Sequence, residues 1–270
     1  MGDLTGRNWR FNGVKIAISG KGGVGKTTLA AAMAYVLSQE GSKVIAIDAD
    51  PVANLAASLG FPEASKIVPI SQMKDLIKER TGATSEEYGK FFKLNPKVSD
   101  LPEKLSCERD NLKLMVLGGI KRGGGGCACP ENVFLRALLT HLILQRDEVV
   151  VVDMEAGVEH LGRATVQAVN AMIVVVEPGM RSIEAARQVQ RLAGEIGIKS
   201  VFAVGNKVGN KSHRDFLEKE LVGIPLLGLI SYNEKIAEAD LAGKAAFEGN
   251  ELLISEVKQI IKKLHSELHR

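Results

Sequence analysis

The chain has 270 residues, 45% of them hydrophobic and 25% charged, which excludes a disordered chain and leaves an ordinary globular protein with enough length for a sizeable core. A formal net charge of +3, with Lys and Glu interspersed, is too small to make nucleic acid a partner on charge grounds. Only 3 cysteines exclude a disulfide-built scaffold, and the polar start "MGDLTGRNWRFNG" and the lack of any run of ~18 to 20 apolar residues predict a cytoplasmic protein without stable membrane association.

In chain order, residues 1–13 read as a polar extension and 14–270 as one domain in which short β-branched runs alternate with amphipathic stretches. The first run, Val14–Ser19, enters "SGKGGVGKTT" and then a helical stretch, Thr27–Gln39. Gly20, Gly25, Lys26 and Thr27 fit G-x-x-x-x-G-K-[ST] in the strand–loop–helix setting that a phosphate-binding loop requires. Gly22, Gly23, Val24 and Gly25 would supply converging backbone N–H groups, and Thr28 continues the loop into the helix. Lys26 would reach the β and γ phosphates and the Thr27 hydroxyl would ligate Mg²⁺, so a nucleoside triphosphate, ATP, is the expected ligand. A further lysine, Lys21, is either a second cation aimed at the transferring phosphoryl group or a solvated surface residue.

The second run, Lys43–Asp48, ends in "IAIDADP", and a later one, Val149–Asp153, ends in "DMEAG". Taken singly, Asp48, Asp50 and Asp153 could each be a cap or turn residue; three carboxylates at strand ends after a phosphate loop point to the ligand side of an open parallel sheet. Between these runs, residues 61–111 are less regular and read as a helical and loop insertion, after which Leu112–Leu117 resumes the strand pattern. Ala171–Glu177, Ser200–Gly205 and Leu226–Ile230 complete the strands, with helical patterns over Glu131–Gln145, Ser182–Ile196 and Ser212–Leu221. Runs such as "VVVVD" and "MIVVVE" suit parallel strands buried on both faces, so the expected fold is α/β, a doubly wound and mostly parallel sheet flanked by helices. Asn206 and Lys207, in "VGNKV", sit at the end of one of these strands.

Before the helix at Glu131, "GGGGCACP" places Cys127 and Cys129 one residue apart, with Pro130 suited to the first helical position and Cys129 to the cap. Thiols there, near Lys121 and Arg122, are where thiolates are stabilised, and the pair reads either as half of a tetrahedral metal shell or as a packing or redox feature. Cys107 and His160 stand apart from this pair and are left out of the site. The last helical stretch puts Leu253, Val257, Ile260, Ile261, Leu264 and Leu268 on one face, a stripe for the core or for a membrane surface; glutamates among the lysines opposite favour the core.

"KGGVGKT" resembles the deviant Walker A loop of the MinD, ParA and nitrogenase iron protein class of P-loop NTPases. The resemblance implies that Lys21 reaches across a nucleotide-sandwiched homodimer, Asp50 orients the attacking water, Asp48 lies beside the Mg²⁺ shell, and Asp153 serves the ion. It further implies that the Gly157 amide senses the γ-phosphate and that Asn206 contacts the adenine ring. "GGGGCACP" together with "DMEAGVEHLGR" resembles the nickel-insertion ATPases of CooC and AcsF type. That likeness implies ATP hydrolysis in support of nickel insertion, with carbon monoxide dehydrogenase or acetyl-CoA synthase as client. It also implies that Cys127 and Cys129 hold Ni²⁺ or Zn²⁺ across a dimer axis. Two other outputs occur in the wider class: electron transfer through a bridged iron–sulfur cluster, whose ligating cysteines in the iron protein are far apart in sequence, and positioning on a membrane as in MinD.

Overall fold

The computed structural model describes residues 11–83, 92–119, 129–155 and 168–270. Its strands are β1 (Lys15–Gly20), β2 (Val44–Ala49), β3 (Cys107–Arg109), β4 (Leu112–Val116), β5 (Val149–Met154), β6 (Ala171–Val176), β7 (Val201–Val208) and β8 (Leu226–Ser231). They form one 8-stranded sheet in the order β3-β4-β2-β5-β1-β6-β7-β8, parallel throughout except where β3 pairs antiparallel with β4. Strand order reverses on either side of β1, which places the loop after that strand at the crevice where such sheets take ligands.

Alternation explains the two cores. In β5, Val149 and Val151 point into the layer beneath α1 (Lys26–Gln39) and α9 (Glu251–Leu268), whereas Val150 and Val152 point into the layer beneath α5 (Pro130–Leu144) and α6 (Met180–Ile196). Between these helices the chain forms α2 (Leu55–Ser58), α3 (Lys74–Thr81) and α4 (Leu101–Leu105), and later α7 (Lys211–Glu220) and α8 (Glu234–Leu241). Leu253, Val257, Ile260, Ile261 and Leu264 of α9 are all buried, and Leu268 packs at the edge of the same layer. The apolar stripe is therefore spent on the core, each such side chain contributing about 1.5–3 kcal/mol when fully buried. Among the described residues no helix is long and apolar enough to cross a membrane.

Two features differ from the sequence expectation. The segment over 61–111 is not only helix and loop: its end supplies β3, a three-residue edge strand whose polar "CER" has too little alternation to announce itself. The extension is also not separate up to residue 13. Phe11 is buried, its ring set edge-on to His265 of α9 with centroids 5.1 Å apart, and its carbonyl accepts the Ser42 hydroxyl.

Candidate functional site

The loop between β1 and α1 is shaped by glycine. Gly20 has φ +147 and passes so close to β6 that a β-carbon would lie 2.6 Å from the Val175 carbonyl oxygen. Gly25, at φ +95, stands before α1 in the left-handed region, and a β-carbon there would come within 2.2 Å of Asn206 Nδ2. No side chain caps α1, so its first-turn amides face an anion without competition from the protein's own oxygens.

Lys26 is nearly buried, with Nζ donating a long 3.4 Å bond to the Lys21 carbonyl, a contact weak enough to be exchanged for a phosphate oxygen. Lys21 itself is exposed. From β7, two places along the sheet from β1, Asn206 Nδ2 donates to Val24 O at 2.7 Å, and Lys207, at φ 57, donates to Gly23 O at 2.8 Å while pairing with Glu177 at 3.3 Å. The amide of Asn206 thus holds the loop, and its Oδ1 accepts the Lys207 backbone N–H. The strand runs on to Val208, past the expected end at Gly205, so Asn206 lies within β7; the side chain's employment, bracing the loop, is what the sequence did not indicate. Glu177, at the end of β6, was likewise not legible as part of the site.

Under the helix start, Thr27 Oγ1 donates to Asp153 Oδ2 at 2.6 Å. The other oxygen of Asp153, Oδ1, is buried and has no hydrogen-bond partner. Burial, aided by the neighbouring charges of Asp48 and Asp50, pushes the Asp153 carboxyl up to about 7. Asp48 stands opposite Asp153 in the β2–β5 register and is raised to about 6, again chiefly by burial. An oxygen cluster with one orphaned carboxylate atom and an adjacent hydroxyl fits a hard divalent cation such as Mg²⁺. Asp48 does different work: Oδ1 accepts Asp50 N at 3.1 Å and Oδ2 accepts Leu55 N at 2.8 Å, closing the turn that carries Asp50. Asp50 is half-buried on that turn and accepts Val52 N at 2.8 Å.

Beside the loop opens a cavity of about 600 Å³ bordered by Gly25, Thr28, Asn206, Tyr232, Asn233 and Phe247. Tyr232 and Asn233 follow β8 and were not anticipated; the cue available was their place just past the end of a parallel strand. Of the cysteine pair, only Cys129 lies among the described residues. Cys129 caps α5, its sulfur accepting Asn132 N at 3.5 Å, and Pro130 is the first helical residue as the spacing predicts. Cys127 and Gly157, with Lys121, Arg122 and His160, lie outside the described residues. Among the described residues no group of three or more His, Cys, Asp or Glu side chains could hold a metal ion.

Residues 15–246 match the CobQ/CobB/MinD/ParA nucleotide-binding domain. The chain belongs to this family. It is a P-loop ATPase of the MinD/ParA class, acting on ATP with Mg²⁺. Among similar proteins, the carbon monoxide dehydrogenase accessory protein CooC of Rhodospirillum rubrum is 44% identical over 237 residues, 87% of this chain and 90% of that protein. An uncharacterized ATP-binding protein of Methanocaldococcus jannaschii is 46% identical over 234 residues, 86% of this chain and 90% of its own length. The family fold extends to solved structures of low sequence identity. A ParA family ATPase from Chlorobium tepidum superposes with a TM-score of 0.67 at 20% identity, covering 93% of this chain and 99% of that one. The MinD protein of Pyrococcus horikoshii, complexed with Mg-ADP, gives 0.63 at 21% identity, covering 94% and 95%.

Proposed function

We propose that this ATPase is a cytoplasmic, homodimeric metallochaperone that couples ATP hydrolysis to nickel insertion into carbon monoxide dehydrogenase or acetyl-CoA synthase. The observation that carries the reading is the 44% identity to CooC across 87% of the chain. The C-x-C pair at the start of α5 adds a chemical reason, because two thiolates are half of a tetrahedral shell and a two-fold axis would supply the rest.

The site roles are part of the same proposal, those of Lys21, Asp50 and Gly157 resting on the family resemblance. Lys26 exchanges its weak loop contact for the phosphates, while Asn206 and Lys207 keep the loop carbonyls turned away from the anion. Asp153 Oδ1 and the Thr27 hydroxyl are the groups that would hold Mg²⁺, which when bound screens the charge on the phosphate oxygens. Asp50 is the carboxylate assigned to orient the attacking water, held in place by the Asp48 turn. Lys21, exposed on the loop, is assigned to the partner subunit's nucleotide, and Gly157 to sensing the γ-phosphate. Ni²⁺ or Zn²⁺ is cargo for Cys127 and Cys129, whose soft sulfurs accept either ion.

The test is an anaerobic, reducing titration of the purified protein with Ni²⁺ and with Zn²⁺. The reading expects one ion per two chains, metal-promoted dimerisation by linkage, and loss of the tight site in Cys127→Ser and Cys129→Ser with nucleotide binding intact. One ion per chain, or unaltered affinity in both serine variants, would overturn the bridged site.

A further inference from the structure

Strand β4 leaves the sheet beside β2, and the two exits are tied together. Leu117 N donates to Asp48 O at 2.9 Å, extending the β2–β4 ladder one step past the end of β4. Two residues later the chain crosses the turn that carries Asp50. A β-carbon on Gly119 would lie 2.5 Å from Cγ, 2.8 Å from Cβ and 2.9 Å from Cα of Pro51, closer than any real side chain approaches a neighbour. Gly119 therefore rests flush on Pro51, and no larger residue fits without moving it.

The turn can give only in its middle. Asp48 holds both ends, through the amides of Asp50 and Leu55, whereas Pro51 and Val52 are exposed and carry no core packing. A displacement of Pro51 carries Val52 with it and so reaches the Asp50 carboxylate, which accepts Val52 N at 2.8 Å. From Gly119 the chain runs on to Cys129 at the head of α5.

We propose that Gly119 is a positioning residue for ATP hydrolysis: its bare backbone seats the Pro51 turn so that Asp50 is correctly placed, and the same contact links nucleotide state to the strand exit from which the cysteine segment departs. The link to metal rests on the metallochaperone reading; the positioning of Asp50 does not.

The experiment compares Gly119→Ala, Pro51→Ala and the double variant with the wild type, measuring kcat and KM for ATP, and Ni²⁺ affinity with Mg-ADP and with a non-hydrolysable ATP analogue. Relieving a 2.5 Å approach needs a shift of about 1 Å, so Gly119→Ala should lower kcat by ~10- to 100-fold while KM changes little, the P-loop being untouched. Pro51→Ala removes the ring from the other side of the contact and should lower kcat less. Because both changes disrupt one contact, the double variant should lose less than the product of the two single losses. In the wild type, Ni²⁺ affinity should differ between the two nucleotides; in Gly119→Ala that difference should vanish although both ligands still bind. A wild-type kcat in Gly119→Ala, a rise in KM matching the fall in kcat/KM, or multiplicative losses in the double variant would overturn the positioning role. Retained nucleotide dependence of Ni²⁺ affinity in Gly119→Ala would overturn the link. If the wild type binds no Ni²⁺, the metallochaperone reading fails, and the kcat measurements still decide the role of Gly119.

Discussion

The phosphate loop and the head of α5 are both helix N-termini reached through glycine-rich sequence, yet among the described residues different kinds of contact hold them. The loop before α1 is gripped from two other strands, by Asn206 on Val24 and Lys207 on Gly23 from β7 and by Asp153 on Thr27 from β5, all at 2.6–2.8 Å. The head of α5 is capped by a sulfur, a weak acceptor, at 3.5 Å. A site that must place a triphosphate to within half an ångström is pre-organised by one chain's interior. A metal site of the proposed kind, which would have to accept and then surrender an ion, would gain from being half built in each chain, because completing it could be made conditional on a second subunit.

The largest effect that would break this contrast comes from the loop. Lys26→Ala should lower kcat by ~10³-fold or more and weaken nucleotide binding, since it removes a cation from a water-poor site. Lys21→Ala should mainly slow hydrolysis and weaken the ATP-bound dimer, with single-chain nucleotide affinity close to that of the wild type. Steady-state hydrolysis, nucleotide titration and size-exclusion chromatography separate the two, and a wild-type rate in Lys21→Ala would remove it from the mechanism.

An intermediate effect tests the brace. Asn206→Ala leaves the Val24 carbonyl without its donor and makes room beside Gly25, at a cost of about 1–2 kcal/mol. That corresponds to ATP affinity ~5- to 30-fold weaker if the loop is ordered mainly by this bond, read by calorimetric titration. Affinity within twofold of the wild type would mean that Lys207 alone holds the loop.

The smallest effect concerns α5. His141 lies on this helix with a buried Nε2 that has no partner, and burial followed by the charge of Arg146 lowers its pKa below the ordinary imidazole value of 6.5. The unfolded chain then binds the proton more readily, so the stability that neutral His141 contributes is fully present above pH 6.5 and is lost as pH falls through its folded value. Thermal melts of the wild type should decline from pH 7 to pH 5 more steeply than those of His141→Gln, because carboxylates such as Glu148 titrate alike in both. Parallel pH profiles would show that the imidazole is solvated.

What could be read from the residues themselves was whatever a short stretch of chain must satisfy locally. The P-loop needs glycine where φ is positive, the buried parallel strands need continuous β-branched runs, and Pro130 after Cys129 marks a helix start before any packing is considered. The stripe on α9 was legible for the same reason, being a periodicity of one helix. Other features belonged to the tertiary structure alone, because they join positions far apart in the chain. Asn206 meets Val24 only when β7 lies two places from β1, and its amide serves the loop carbonyl, an employment its place in the sequence did not reveal. The polar "CER" becomes a strand only because β4 offers it an edge. Gly119 has no local need for glycine at all: its backbone is ordinary, and the demand comes from Pro51, brought against it by the pairing of β2 with β4.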